Sequence, residues 1–139
     1  MSKETNKQVM SRFVEFINTA DPQLADQLIS PKAIFYVPGR PEPMEGPQGY
    51  LTIIAMMRSG FPDIQWGLDE LILDDNKAAA RFSMTGTHQG PFFCVPPTGK
   101  QIRAQAINIY HFFNGQIIEE YGQPDLLGLM QQIGALPPQ

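Results

Sequence analysis

Cysteine is nearly absent from this chain. Cys94 is the one such residue among 139, so no disulfide can close within it. Its apolar neighbours in FFCVPP mark it as a small buried hydrophobe rather than a nucleophile, since no nearby base is there to form the thiolate. Basic charge is scarce too. Ten Lys and Arg stand against 14 Asp and Glu, a net charge of −4, which excludes the clustered positive footprint of a nucleic-acid binder. No uninterrupted apolar run approaches the length of about 18 residues that a membrane helix needs. The opening MSKETNKQVM carries no apolar signal core. These absences predict a soluble cytoplasmic protein with neither nucleic acid nor membrane as partner.

The motifs of common cofactors are missing as well. The two histidines, His88 and His111, form no HxH or HxxxH pair, and there is no CxxC, so no zinc site is expected. The glycines make neither GxGxxG nor GxxxxGK[ST], and no GxSxG elbow marks a serine hydrolase. The chemistry left open is acid/base work without metal or cofactor in an apolar pocket.

What is present reads as one domain over residues 1–139. In KQVMSRFVEFINTA, apolar residues recur at three- and four-residue steps, one stripe of an amphipathic helix. Asp21-Pro22 opens a second, short helix. AIFYV reads as a strand, and PGRPEPMEGP as a stiff loop. GYLTIIAMMRS predicts a third helix, apolar nearly all round and so expected to be deeply packed. After Pro62 come strands. DIQWGLDELILDD and KAAARFSMTGTHQG flank the turn candidate Asp75-Asn76. QIRAQAINIYHFF and QIIEEYG flank Asn114-Gly115, the strongest short hairpin signal. Pro124 then starts a last helix, stopped by Gly134.

Helices first and long strands afterwards is the α+β pattern: a curved antiparallel sheet with the N-terminal helices on one face. Along Gln101–Phe113 one face carries Ile102, Ala104, Ala106, Asn108, Tyr110 and Phe112. The other carries Arg103, Gln105, Ile107, Ile109, His111 and Phe113. Neither face is properly polar, so both are expected to be covered. The helices account for one, and a second copy of the chain for the other, as a homodimer or homotetramer.

His111 in its apolar strand reads either as a core histidine held by hydrogen bonds or as a pocket group. Asp125, just after Pro124, reads either as a helix-start carboxylate favoured by the helix dipole or as a base. His88 in TGTHQG is a turn or rim histidine or a ligand contact. Arg81 is expected to pair across strands with Glu119 or Glu120. Phe35, Tyr36, Trp66, Met84, Tyr110 and Tyr121 read as core or as the lining for a flat, small apolar or aromatic substrate, with Ile107, Ile109 and His88 as further candidate contacts.

Several segments occur in a familiar order: FPD at 61–63, GTHQG at 86–90, PPTGK at 96–100, INIYHFFNGQIIEEYGQPD at 107–125 and LLGLMQQIGALP at 126–137. In these the chain resembles the SnoaL-like polyketide cyclases, or ester cyclases, within the larger group folded like ketosteroid isomerase and nuclear transport factor two. The resemblance implies an α+β cone or barrel. It implies Asp125 as general acid/base, with His111 beside it in the pocket, acting without a cofactor. The implied reaction is an aldol-type ring closure on a small aromatic polyketide ester. An isomerase, hydrolase or hydroxylase in the same pocket, or a non-catalytic binder of small apolar ligands, is the alternative. The chain departs from the family's habit at Tyr121, Gln116 and in FYVPG, which has no histidine.

Overall fold

The computed structural model describes residues 3–137. Its elements run α1 (Lys3–Thr19), α2 (Pro22–Leu28), β1 (Ile29–Tyr36), β2 (Met44–Glu45), α3 (Gly46–Gly60), β3 (Gln65–Leu73), β4 (Lys77–Thr87), β5 (Gln101–Phe113), β6 (Gln116–Pro124) and α4 (Leu126–Gln132). None of the described helices is long and apolar enough to cross a membrane. The stripe of α1 is buried as expected, at Val9, Met10, Phe13, Phe16 and Ile17. Each such side chain contributes about 1.5–3 kcal/mol when fully buried. Asp21 caps α2, accepting from the Gln23 N–H at 2.9 Å.

The strands form one six-stranded sheet in the order β2-β1-β6-β5-β4-β3. Two points differ from a purely antiparallel barrel. β1 pairs with β6 in parallel. And β2 and β3 remain edges, so the sheet is mixed and unclosed. Both hairpins form where expected. Asn114 and Gly115 take φ of 51° and 74°, the left-handed pair that a two-residue turn demands.

The helices cover one face of the sheet. On β5 this inner face is the one carrying Ile102, Ala104, Ala106, Tyr110 and Phe112, all buried. The outer face carries Ile107, Ile109 and Phe113, exposed at 60%, 45% and 63%. Register extends the outer face into an apolar row: Ile72, Ala79, Ile109, Tyr121 and Tyr36 lie side by side across five strands. The Tyr36 and Tyr121 rings stack at 4.8 Å. Arg81 pairs not with Glu119 or Glu120 but with Glu70 and Asp69, at 3.2 and 3.5 Å. Those carboxylates stand on β3, the strand next to β4.

Two further expectations are corrected. α3 is not buried all round. Met56 is 45% exposed, and Ile53, Met56 and Met57 line a cavity. Cys94 is exposed. Phe92 and Val95 close a tight turn whose middle residues, Phe93 and Cys94, sit at φ of 45° and 63°, which turns the thiol outward.

Candidate functional site

Between α3 and the inner face of the sheet lies a cavity of about 480 Å³, within the usual size range for a small-molecule site. Trp66, Phe82 and Met84 form one wall, and Ile53, Ile54 and Met57 of α3 another. Pro124, Leu126 and Leu129 close the end near α4. The mouth is framed by Val37–Arg40, after β1, and by Pro91–Phe93, in the β4–β5 connection. Asn18 fixes the Trp66 wall, since its side chain exchanges hydrogen bonds with both the N–H and the C=O of Trp66, at 2.8 and 2.9 Å.

The polar floor comes from two neighbouring strands. Tyr110 lies opposite Glu120, and Asn108 opposite Gly122. Glu120 is only 3% exposed. The Tyr50 hydroxyl, from α3, donates to Glu120 Oε1 at 3.0 Å, and the Tyr110 hydroxyl also hydrogen-bonds the carboxyl. Asn108 Nδ2 donates to the Tyr110 oxygen at 3.1 Å, while Asn108 Oδ1 accepts from the Gln123 N–H. Phe13 and Phe35 hold the Tyr50 ring edge-on, at 5.2 and 4.8 Å. Burial pushes the Glu120 carboxyl up to about 7, against the two tyrosine hydrogen bonds, which lower it. Burial, followed by the neighbouring Glu120 charge, drives the Tyr50 and Tyr110 hydroxyls well above their ordinary range. Gly122 matters by its missing side chain: a Cβ there would stand 3.3 Å from Glu120 Oε2. The floor thus offers one buried carboxyl that titrates near neutrality, with one oxygen tied to Tyr50 and the other beside a bare glycine.

The sequence profile of the SnoaL-like polyketide cyclases matches residues 7–133. The chain belongs to that family. It is 27% identical over 127 residues to the aklanonic acid methyl ester cyclase AcmA of Streptomyces galilaeus, covering 88% of this chain and 86% of AcmA. Its fold is similar to that of TsrD from Streptomyces laurentii, with a TM-score of 0.86, 28% identity and 98% and 99% of the two chains covered. It is similar also to that of wild-type IdmH from Streptomyces antibioticus, with a TM-score of 0.83, 25% identity and 93% and 98% covered.

In this SnoaL-like chain Trp66, Met84 and Tyr110, of the lining residues expected from sequence, do line the cavity. Phe35 is buried behind Tyr50. Ile107, Ile109 and Tyr121 are on the exposed outer face. His111 is there too, 3.5 Å from Glu119. Asp125 is exposed and caps α4, accepting from the Gly128 N–H at 2.9 Å. His111 and Asp125 do not meet. His111 pairs with Glu119, and Asp125 follows six residues later, roughly 20 Å along an extended strand. His88 is fully buried and lies outside the cavity lining. The Thr98 N–H donates to its Nδ1 at 3.2 Å, which puts the imidazole proton on Nε2, and Phe61 stands against its ring. Two of the familiar motifs prove to be clamps: Asp63 of FPD accepts from the N–H and hydroxyl of Thr87 in GTHQG, at 2.7 and 2.8 Å.

Proposed function

We propose that the protein catalyses a cofactor-independent, aldol-type ring closure on a small aromatic polyketide ester, with Glu120 as the general acid/base. One observation carries this reading: the buried Glu120 carboxyl on the cavity floor, with its affinity for protons raised to about neutrality. An acid/base group works best when its pKa lies near the working pH. Ionised, Glu120 takes a proton from a carbon between two carbonyls. The enolate carbon attacks a second carbonyl of the same molecule. The new carbon–carbon bond forms as the carbonyl π bond breaks, and the alkoxide takes the proton back from Glu120, so the product is an isomer of the substrate. The apolar walls hold the chain folded with its reacting atoms close, which supplies much of the rate. Membership of a cyclase family and the likeness to AcmA support the substrate class. Asp125, the base implied by resemblance, is exposed and engaged as a helix cap, so the role passes to Glu120.

The test is product analysis with aromatic β-keto esters carrying a second ketone in the same molecule. Wild-type protein should give a ring-closed product of unchanged mass, or of one water less if the aldol dehydrates. Glu120→Gln should not exceed the buffer control. A Glu120→Gln protein that closes the ring as fast as wild type would overturn the assignment.

We further propose that the protein acts as a homodimer joined through the outer sheet face. Support comes from the apolar row Ile72, Ala79, Ile109, Tyr121 and Tyr36, which is long, continuous and exposed. Patches of that kind mark interaction surfaces. A sheet face can meet its own copy by a two-fold axis lying in the interface.

A further inference from the structure

The cavity is charged at two places. Among the described residues, the charged members of its lining are Glu120 and Arg40. They sit at different depths, because Glu120 is buried and Arg40 is exposed. Arg40 has no ion-pair partner among the described residues. Glu42, two positions on, does not pair with it. Pro38, Pro41 and Pro43 restrict the loop, and Gly39, at φ +80°, lies against the Phe93 ring of the opposite rim. An unpaired guanidinium at the mouth of an apolar chamber is a ready partner for a planar anion, above all a carboxylate.

We propose that the polyketide ester bound in this cavity also carries a free carboxylate on its flat apolar ring body, which Arg40 binds at the mouth while the rings and the reacting ester lie inside. This deepens the cyclase reading and rests on it for what happens at the inner end. The charges also set the orientation. A ligand carboxylate pointing inward would meet ionised Glu120 and lose its hydration in an apolar chamber. Pointing outward, it meets Arg40 and keeps part of its water. The net charge of −4 gives the protein no general attraction for anions, so a preference for acids must come from this local cation.

Trp66 supplies the reporter, being the one tryptophan of the chain and part of the cavity wall. Anthraquinone-2-carboxylate and its methyl ester are titrated at pH 8 against wild type, Arg40→Gln, Arg40→Lys and Glu120→Gln, following Trp66 quenching and heat. Wild type should bind the acid about tenfold more tightly than the ester. Arg40→Gln should bring the two together by weakening the acid alone, and Arg40→Lys should keep part of the preference. Equal binding of acid and ester by wild type, or a preference that survives Arg40→Gln, overturns the proposal. Failure of both probes to quench Trp66 overturns it together with the reading of the cavity. The catalytic reading fails separately: the preference persists in Glu120→Gln, whereas ring closure does not.

Discussion

The Tyr50 hydroxyl donates to Glu120 Oε1 over 3.0 Å, linking α3 to β6 across 70 positions of sequence. Both groups are buried. A carboxyl withdrawn from water favours its protonated form, and a hydrogen bond from tyrosine favours its ionised form. Here burial is the larger influence, so the group titrates at about 7 rather than at the ordinary glutamate value.

Glu120→Gln should keep the fold, because glutamine fills the same space and still accepts from Tyr50. Turnover should fall by at least about 10²-fold, the usual scale for loss of a general base. Steady-state rates beside a circular-dichroism spectrum check this; a folded variant with wild-type turnover would return Glu120 to a structural role.

The dependence on pH follows from the same group. A base must be ionised, so kcat/KM should rise through a limb near pH 7 and level off above it. Tyr50→Phe removes a hydrogen bond that lowers the Glu120 pKa, so its limb should move to higher pH. A limb that stays in place or moves down would contradict the assigned influence of Tyr50.

Stability should carry the opposite trend. The folded pKa of Glu120 lies above its unfolded value, so between about pH 4.5 and 7 the folded state holds a proton that the unfolded chain has lost. This contribution is whole below the unfolded pKa and is lost as pH rises through 7, roughly 3 kcal/mol at most. Denaturant melts of wild type across pH 4.5–8 should therefore fall more steeply with pH than those of Glu120→Gln.

Helices, hairpins and the two alternating faces of β5 were legible in the sequence because each depends on a short-range signal: the stripe of α1, Asp21-Pro22, Asn114-Gly115, and alternation along residues 101–113. Which face looks inward was not, since Ile107, Ile109 and His111 were expected in the pocket and lie on the outer face. The floor of the site was not legible either, and a single bulge explains why. Counting back from the Asn-Gly turn pairs Phe113 with Gln116 and Phe112 with Ile117, and would set Tyr110 opposite Glu119. The register shifts between His111 and Phe112, so that Tyr110 faces Glu120 instead. One extra residue exchanges the two faces of everything beyond it. In the pair Glu119-Glu120 it sends the second carboxyl inward and leaves the first beside His111. The adjacent glutamates were the visible signal, since alternation requires one of them to point inside. The placement of Asp125 was misread for a related reason. The resemblance set His111 beside Asp125, but His111 lies near the Asn-Gly turn and Asp125 beyond the far end of β6.

Asp125 offers a contrasting test. Its carboxylate caps α4 by accepting from the Gly128 N–H. Asp125→Ala should cost about 1 kcal/mol of stability, the common scale for a lost N-cap, and leave turnover within a few-fold of wild type. Asp125→Asn should recover most of that stability. Loss of activity by 10²-fold in a well-folded Asp125→Asn protein would restore Asp125 as the base and displace Glu120.

The outer face yields the last expectation. Ile109 stands at the middle of the apolar row, on β5, between Ala79 and Tyr121, and is 45% exposed. Replacing it with aspartate puts a charge where a partner's apolar row would lie. An unpaired charge buried in an interface is costly, whereas on the surface of a monomer it is easily solvated. Ile109→Asp should therefore leave the far-ultraviolet spectrum and Trp66 fluorescence unchanged while halving the mass seen by light scattering at micromolar concentration. If wild type already scatters as a monomer, the row has no second copy to cover it. If the variant stays dimeric, the contact lies on another surface, because a carboxylate at the centre of this row could not be hydrated inside a sheet-to-sheet interface.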